Sequence, residues 1–187
     1  MIQGLIIAGG MSTRFGKDKL LYTLDNGRPM LLQAALNMRG AIAATQVILN
    51  RDREYLCDEF YARGIGVNIS ENAHLGMGHT IADGIRATCD ASGWVIALGD
   101  MPFVKAETLL SVKEAIENGA QIAVPVHDGK RGHPVGFSSA LRFELLSLQG
   151  DVGAREILQR HKGEITYLKC GDPGVHFDVD VPEDLSV

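Results

Sequence analysis

Apolar residues recur along this chain in two rhythms, and the two alternate. Short apolar runs at Gly4–Ala8, Gln46–Leu49, Gly66–Ile69, Trp94–Leu98 and Ile122–Val126 read as strands, the unbroken ones buried on both faces. Between them the spacing stretches to three and four residues. Pro29 suits the first turn of a helix running through about Met38. A helix follows Gly78, with Ile81, Ile85 and Cys89 along one face. Leu109, Leu110, Val112 and Ile116 mark another. The stretch Gly129–Phe137 has hairpin character, helices are expected at about Ser139–Leu148 and Gly153–His161, and Ile165–Leu168 and Phe177–Val179 read as late short strands.

Strands separated by helices of this length join as right-handed βαβ units, which predicts an α/β fold with a mostly parallel central sheet. Such sheets bind ligands beyond the carboxyl ends of their strands. Chemistry-bearing residues gather there: Gly9–Lys19 after the first strand, Asn50-Arg51 after the second, Glu71–Gly78 with Asn72 after the third, and Asp100 after the fourth. No repeat, low-complexity run or linker divides the 187 residues, so one domain over 1–187 is expected.

Composition narrows the function classes. With 45% hydrophobic and 22% charged residues the chain reads as a soluble globular protein. A net charge of −5 argues against a nucleic-acid partner, which would require clustered cations. The apolar run Leu5–Ala8 is too short to cross a bilayer and leads into glycines, so no membrane association and a cytoplasmic location are expected. Cys57, Cys89 and Cys170 are scattered, as reduced thiols are, and the six histidines lack zinc-ligand spacing.

The loop Ala8-Gly9-Gly10-Met11-Ser12-Thr13-Arg14-Phe15-Gly16-Lys17-Asp18-Lys19 carries the strongest signal. Paired glycines after a buried strand let backbone N–H groups approach a ligand that a Cβ would exclude, and consecutive N–H groups hold anions. Arg14, Lys17 and Lys19 add three cations within six residues. Neither the dinucleotide fingerprint nor a P-loop fits, because Gly16-Lys17 is followed by Asp18. A triphosphate shared among the glycine N–H groups, Arg14, Lys19 and a metal ion does fit. Asp100, ending a buried strand in Leu98-Gly99-Asp100-Met101-Pro102, suits Mg²⁺, which takes few protein ligands plus waters and phosphate oxygens.

The stretch Ala8–Leu20 resembles the signature of Rossmann-like nucleotidyltransferases, and further blocks resemble that family, chiefly the molybdenum cofactor cytidylyltransferases within it. These are Gly76-Met77-Gly78-His79-Thr80-Ile81, Lys130–Phe137 with its Arg-Gly-His-Pro-Val core, Gly150–Arg155, and Asp178-Val179-Asp180-Val181-Pro182-Glu183-Asp184. The resemblance implies a three-layer fold. It implies transfer of a nucleoside monophosphate to molybdopterin with release of pyrophosphate, and a target molybdoenzyme as partner. It assigns Arg14 to the outer phosphates, Lys19 to the α-phosphate, and Asp100 to the metal together with one of Asp178 and Asp180, of which Asp180 is preferred. On the nucleotide it places Ala8, Gly9, Gly10, Met11, Ser12, Asn50, Asn72 and Gly78. The acceptor falls to Arg131, His133 and Arg155.

Two features pull the base assignment apart. The later blocks resemble the cytidylyltransferases and favour CTP, whereas Ala8-Gly9-Gly10 resembles the guanylyltransferase loop, where the missing methyl at Gly9 leaves room for a purine. Two alternatives stand beside these: transfer to a sugar phosphate or phospho-alcohol, and a non-catalytic accessory protein for a molybdoenzyme. Retention of Arg14, Lys19 and Asp100 together argues for catalysis.

Overall fold

The computed structural model describes residues 1–10 and 18–179. A central sheet carries helices on both faces, as the alternation of rhythms predicts. Strands β1 (Ile2–Ala8), β2 (Thr45–Asn50), β3 (Gly66–Ser70) and β4 (Gly93–Leu98) pair in parallel in the order β3-β2-β1-β4. Beyond β4 the sheet continues with β7 (Val135–Ser138), then β5 (Ile122–His127), which also pairs with β6 (Lys130–Arg131) and, in parallel, with β8 (Ile165–Lys169). β7 runs antiparallel to both of its neighbours, so the sheet is mostly parallel with one reversed internal strand.

The period-two geometry of a strand divides its residues between two cores. Ile2, Ile6 and Ala8 of β1 join one cluster, and Leu5 and Ile7 the other. The first cluster is covered by α1 (Met30–Ala41), α2 (Cys57–Tyr61) and α4 (Ala106–Glu117), through Leu31, Met38, Phe60, Val112 and Ile116. The second is covered by α3 (Met77–Ala87), α5 (Arg142–Leu146) and α6 (Arg155–Arg160), through Ile81, Ile85, Leu145 and Ile157. Each such side chain contributes about 1.5–3 kcal/mol on burial. The largest, Trp94, is fully buried, with its indole N–H donated to the Thr88 hydroxyl at 2.9 Å.

Several expectations are corrected. Residues 177–179 form no strand; a single backbone bond from Val179 N to the Asp100 carbonyl, 3.1 Å, fastens them to the end of β4. The hairpin pairs β6 with β5, not with β7. It turns at Asp128-Gly129, where φ of 49° and 74° suits the two-residue turn that matches strand twist. Pro29 caps α1 rather than opening it, and Cys89 lies exposed past the end of α3. The Ser139–Leu148 helix resolves into a 3-10 turn and the short α5. Among the described residues no helix is long and apolar enough to cross a membrane.

Candidate active site

The carboxyl ends of β1 and β4 open into a cleft of about 530 Å³. It is lined by Ala8 and Gly10, by Lys19 and Asp100, and by Ala73, Gly76, Met77 and Thr80 together with Asp151. The Lys19 ammonium meets the Asp100 carboxylate Oδ2 at 2.7 Å, each side chain about one-fifth exposed. The other carboxylate oxygen, Asp100 Oδ1, is buried with no hydrogen-bond partner among the described residues. A buried anionic oxygen without a donor is costly, and a cation would satisfy it.

Main-chain and side-chain braces hold Asp100 in place. Gly99 N donates to the Ile7 carbonyl at 3.0 Å. From α1, the Asn37 amide donates to the carbonyls of Pro102 and Val104 at 2.8 and 3.0 Å, fixing the turn that follows. His133 is half-buried and within electrostatic reach of both Asp100 and Asp178. Burial pushes its imidazole below the ordinary histidine value, and the two aspartates partly oppose that shift. Its Nδ1 is also buried without a partner among the described residues. The bond from Val179 N to the Asp100 carbonyl brings the Asp178 segment beside β4. Among the described residues no cluster of three or more His, Cys, Asp or Glu forms a metal cage. A Mg²⁺ site of one or two carboxylates completed by phosphate oxygens and water does not require one.

Opposite, backbone packs on backbone. Gly78 N donates to the Gly150 carbonyl at 2.7 Å, and Gly150 N donates to His79 Nδ1 at 3.1 Å. Gly76 has φ of 120°, and a Cβ there would lie 2.4 Å from the Gly150 carbonyl carbon. Only glycine meets both demands. Gly9 is equally confined. A Cβ on it would lie 2.4 Å from Thr80 Oγ1 and 2.7 Å from Thr80 Cγ2, with Ala73 Cβ at 3.0 Å. The space left by the missing methyl is therefore taken up by Thr80 and is not open for a base.

The sequence-predicted residues divide accordingly. Ala8, Gly10, Lys19 and Asp100 line the cleft, with Gly9 and Gly78 packed just behind it. Asn50 is buried and donates its amide to the Gly9 carbonyl at 3.3 Å, while its Oδ1 has no partner among the described residues. Asn72 is exposed and lies outside the cleft, although the adjacent Ala73 and His74 line it. His133 stands beside Asp100 and Asp178. Arg131, on β6, and Arg155, opening α6, are exposed and do not line the cleft. Met11, Ser12, Arg14 and Asp180 lie outside the described residues.

Sequence reasoning passed over three contributors. Thr80 and Asp151 lie within quoted blocks but earned no role at the nucleotide, and both line the cleft. Arg53 follows the flagged Asn50-Arg51 and is only 3% exposed. It bonds to Asp18 and to the carbonyls of Ala8 and Gly10. A buried arginine three residues past a strand has no motif, and only its position beyond a carboxyl end pointed to it.

Comparison with known proteins places this geometry. Residues 4–165 match the family described as MobA-like NTP transferase domain. The chain is 29% identical over 194 residues to a probable molybdenum cofactor guanylyltransferase of a Nostoc species, covering 100% of this chain and 89% of that one. It is 24% identical over 192 residues to the nicotine blue oxidoreductase of Paenarthrobacter nicotinovorans, covering 98% and 94%. Matches also include the bifunctional protein GlmU of Agrobacterium fabrum, 30% identical over 127 residues, of whose length the chain spans 27%. Among solved structures, Rv0371c of Mycobacterium tuberculosis superposes with a TM-score of 0.84 at 26% identity, over 99% of this chain and 95% of that one. A second structure of Rv0371c is its complex with manganese, at a TM-score of 0.81 and 24% identity, over 99% of this chain and 96% of that one.

Proposed function

Since the chain belongs to the MobA-like NTP transferase domain family, we propose that its cleft transfers a nucleoside monophosphate, CTP being the favoured donor, to the terminal phosphate of molybdopterin. The observation that carries this reading is the Lys19–Asp100 pair at the cleft's end, with Asp100 Oδ1 buried and unsatisfied beside it. A triphosphate entering over Gly10 competes with Asp100 for the Lys19 ammonium. That exchange puts the cation on the α-phosphate and leaves the carboxylate to a divalent ion.

Asp100, with one carboxylate of the Asp178/Asp180 pair, has the hard oxygen donors that Mg²⁺ or Mn²⁺ takes, and the manganese complex of Rv0371c supports a divalent ion here. Held by these carboxylates, the ion would supply positive charge that offsets the charge developing on the departing pyrophosphate. An acceptor phosphate oxygen forms the new bond to the α-phosphorus. The bond from that phosphorus to the bridging oxygen breaks, and its electron pair leaves with pyrophosphate. The attacking phosphate is already ionised at neutral pH, so no general base is required, and positioning and charge neutralisation carry the reaction. The nearness of His133 to Asp100 and Asp178 supports an acceptor subsite there, with the exposed Arg131 and Arg155 as the cations proposed for the acceptor phosphate and Arg14 for the outer phosphates of the NTP.

GTP is the second reading, favoured by the guanylyltransferase named among the full-length relatives. The glycine at position 9 adds nothing to it, because Thr80 occupies the space a methyl would take. Pyrophosphate release measured with each of the four NTPs, with and without molybdopterin, tests both. CTP with molybdopterin is expected to give the highest kcat/KM. A GTP optimum transfers the reading to guanylyl transfer, and release with a sugar phosphate alone removes molybdopterin as the acceptor. No release with any pairing removes nucleotidyl transfer and turns attention to redox chemistry, for which a full-length relative is named.

A further inference from the structure

Among the described residues, Arg53 is the least exposed charged side chain near the cleft, yet it does not line it. It stands on the 3-10 turn Arg51–Leu56 directly after β2. Its guanidinium reaches three separate points. Nη1 donates to the Ala8 carbonyl at 2.7 Å and to the Gly10 carbonyl at 3.0 Å. Nε and Nη2 form a fork on the Asp18 carboxylate at 2.5 and 2.8 Å. Ala8 and Gly10 precede the stretch 11–17 and Asp18 follows it, so one side chain grips both ends of the glycine-rich segment.

We propose that Arg53 is a positioning residue for nucleotide binding, acting through the main chain at Ala8 and Gly10 and through Asp18. Carbonyl oxygens repel phosphate, and an anion site requires them turned away from its ligand. The Ala8 and Gly10 carbonyls point at the buried guanidinium rather than into the cleft, which neutralises them. On the other side Asp18 Oδ1 accepts from Leu20 N at 3.2 Å as well as from Arg53, and this fixes the turn that presents Lys19 to Asp100. A planar guanidinium can serve two carbonyls and a carboxylate together, whereas a lysine ammonium is a single point with three donors. The side chain thereby ties the end of β2 to the two residues that face the phosphates, Gly10 and Lys19.

The role rests on the cleft being an NTP site, so wild-type binding is measured alongside. Arg53→Lys keeps the charge and loses the fork. Isothermal titration with Mg²⁺ and CTP or GTP, on protein verified as folded by circular dichroism, is expected to show Kd raised about 10- to 100-fold. The same variant should raise KM more than it lowers kcat, and added guanidinium ion should partly restore the affinity of Arg53→Ala. A merely structural residue would lower Tm while leaving Kd and KM of the folded protein unchanged. Should the Arg53 variants fail to fold, Asp18→Asn is read by the same criterion. It keeps the carbonyl contacts and weakens the fork, with a Kd raised about 3-fold or more expected. Values within twofold of wild type in whichever folded variant is read overturn the role. An absence of NTP binding by the wild type overturns the cleft assignment and this role with it.

Discussion

The wall at the ends of β1 and β4 is fixed by charge. Lys19 meets Asp100, Asp18 meets Arg53, and two main-chain carbonyls are drawn onto the same guanidinium. The wall formed by residues 73–80 and 149–151 carries no ion pair among the described residues; it is held by close packing, with Gly76 and Gly78 on the main chain of Gln149 and Gly150 and Gly9 against the Thr80 side chain. The difference separates two tasks. Charges that can change partners are suited to a polyphosphate whose charge moves during reaction, where preorganised electrostatics count most. Backbone contacts that admit no extra atom are suited to holding a shape, and so to choosing which base enters.

If the walls divide the work in this way, damage to the charged wall should appear chiefly in turnover. Asp100→Asn is expected to fold normally and to lose about 10²–10³ in kcat, because an amide is a poorer ligand for a divalent ion. Near-normal pyrophosphate release at saturating Mg²⁺ would make Asp100 a purely structural residue. Lys19→Ala should follow closely, with kcat falling about 10²-fold and KM for the NTP changing less, since α-phosphate charge is redistributed in the transition state. A change confined to KM would show that Lys19 binds the ground state alone.

Damage to the packed wall should appear in stability and affinity instead. Gly9→Ala forces a methyl into Thr80, and overpacking of this kind costs about 1–3 kcal/mol. A drop in Tm of roughly 2–10 °C and weaker NTP binding are expected for the single variant. Gly9→Ala with Thr80→Ala removes both crowding atoms and should regain most of the loss. A double variant no better than the single one would show that the methyl obstructs something other than Thr80.

The smallest effect lies away from both walls. The Arg160 guanidinium, 2.7 Å from Glu144, holds that carboxyl below its ordinary range, and Glu144 in turn raises His161, 2.8 Å away. The depressed Glu144 contributes stability that is present above its ordinary value of 4.5 and is lost as pH falls through the folded value. The raised His161 contributes stability that is present below its ordinary value of 6.5 and is lost as pH rises through the folded value. The Tm deficit of Glu144→Gln should therefore be greatest between pH 4.5 and 6.5. For so exposed a cluster it should reach about 1–2 °C and shrink toward pH 8. A deficit constant across that range would remove the ionic account.

The charged wall was the more legible in the sequence. Buried parallel strands leave unbroken apolar runs, so β1 and β4 can be read directly, and Lys19 and Asp100, both singled out after those strands, stand together as an ion pair that the sequence alone did not suggest. Antiparallel β7 is harder to place, because Val135–Ser138 is a four-residue strand set between the distant β4 and the nearby β5, a position that its own sequence does not encode. The alternation Phe177-Asp178-Val179 imitates a strand, yet only Val179 and Phe177 pack, in a small cluster with Leu24 and Met30, and no ladder forms. Arg53 escaped because two of its partners are main-chain carbonyls, which carry no sequence signal. The glycines at 76 and 78 were visible as a block, but that they face Gln149 and Gly150 depends on tertiary packing alone.

Asp100 is proposed to hold a divalent ion together with the triphosphate in this cleft. Titration of Mn²⁺ into the protein, followed by the loss of the free-ion electron paramagnetic resonance signal with and without CTP or GTP, tests it most directly. Nucleotide is expected to tighten Mn²⁺ binding to the wild type, and Asp100→Asn to lose about tenfold or more of the tightened affinity. Equal Mn²⁺ affinity in the two proteins with nucleotide present would contradict it.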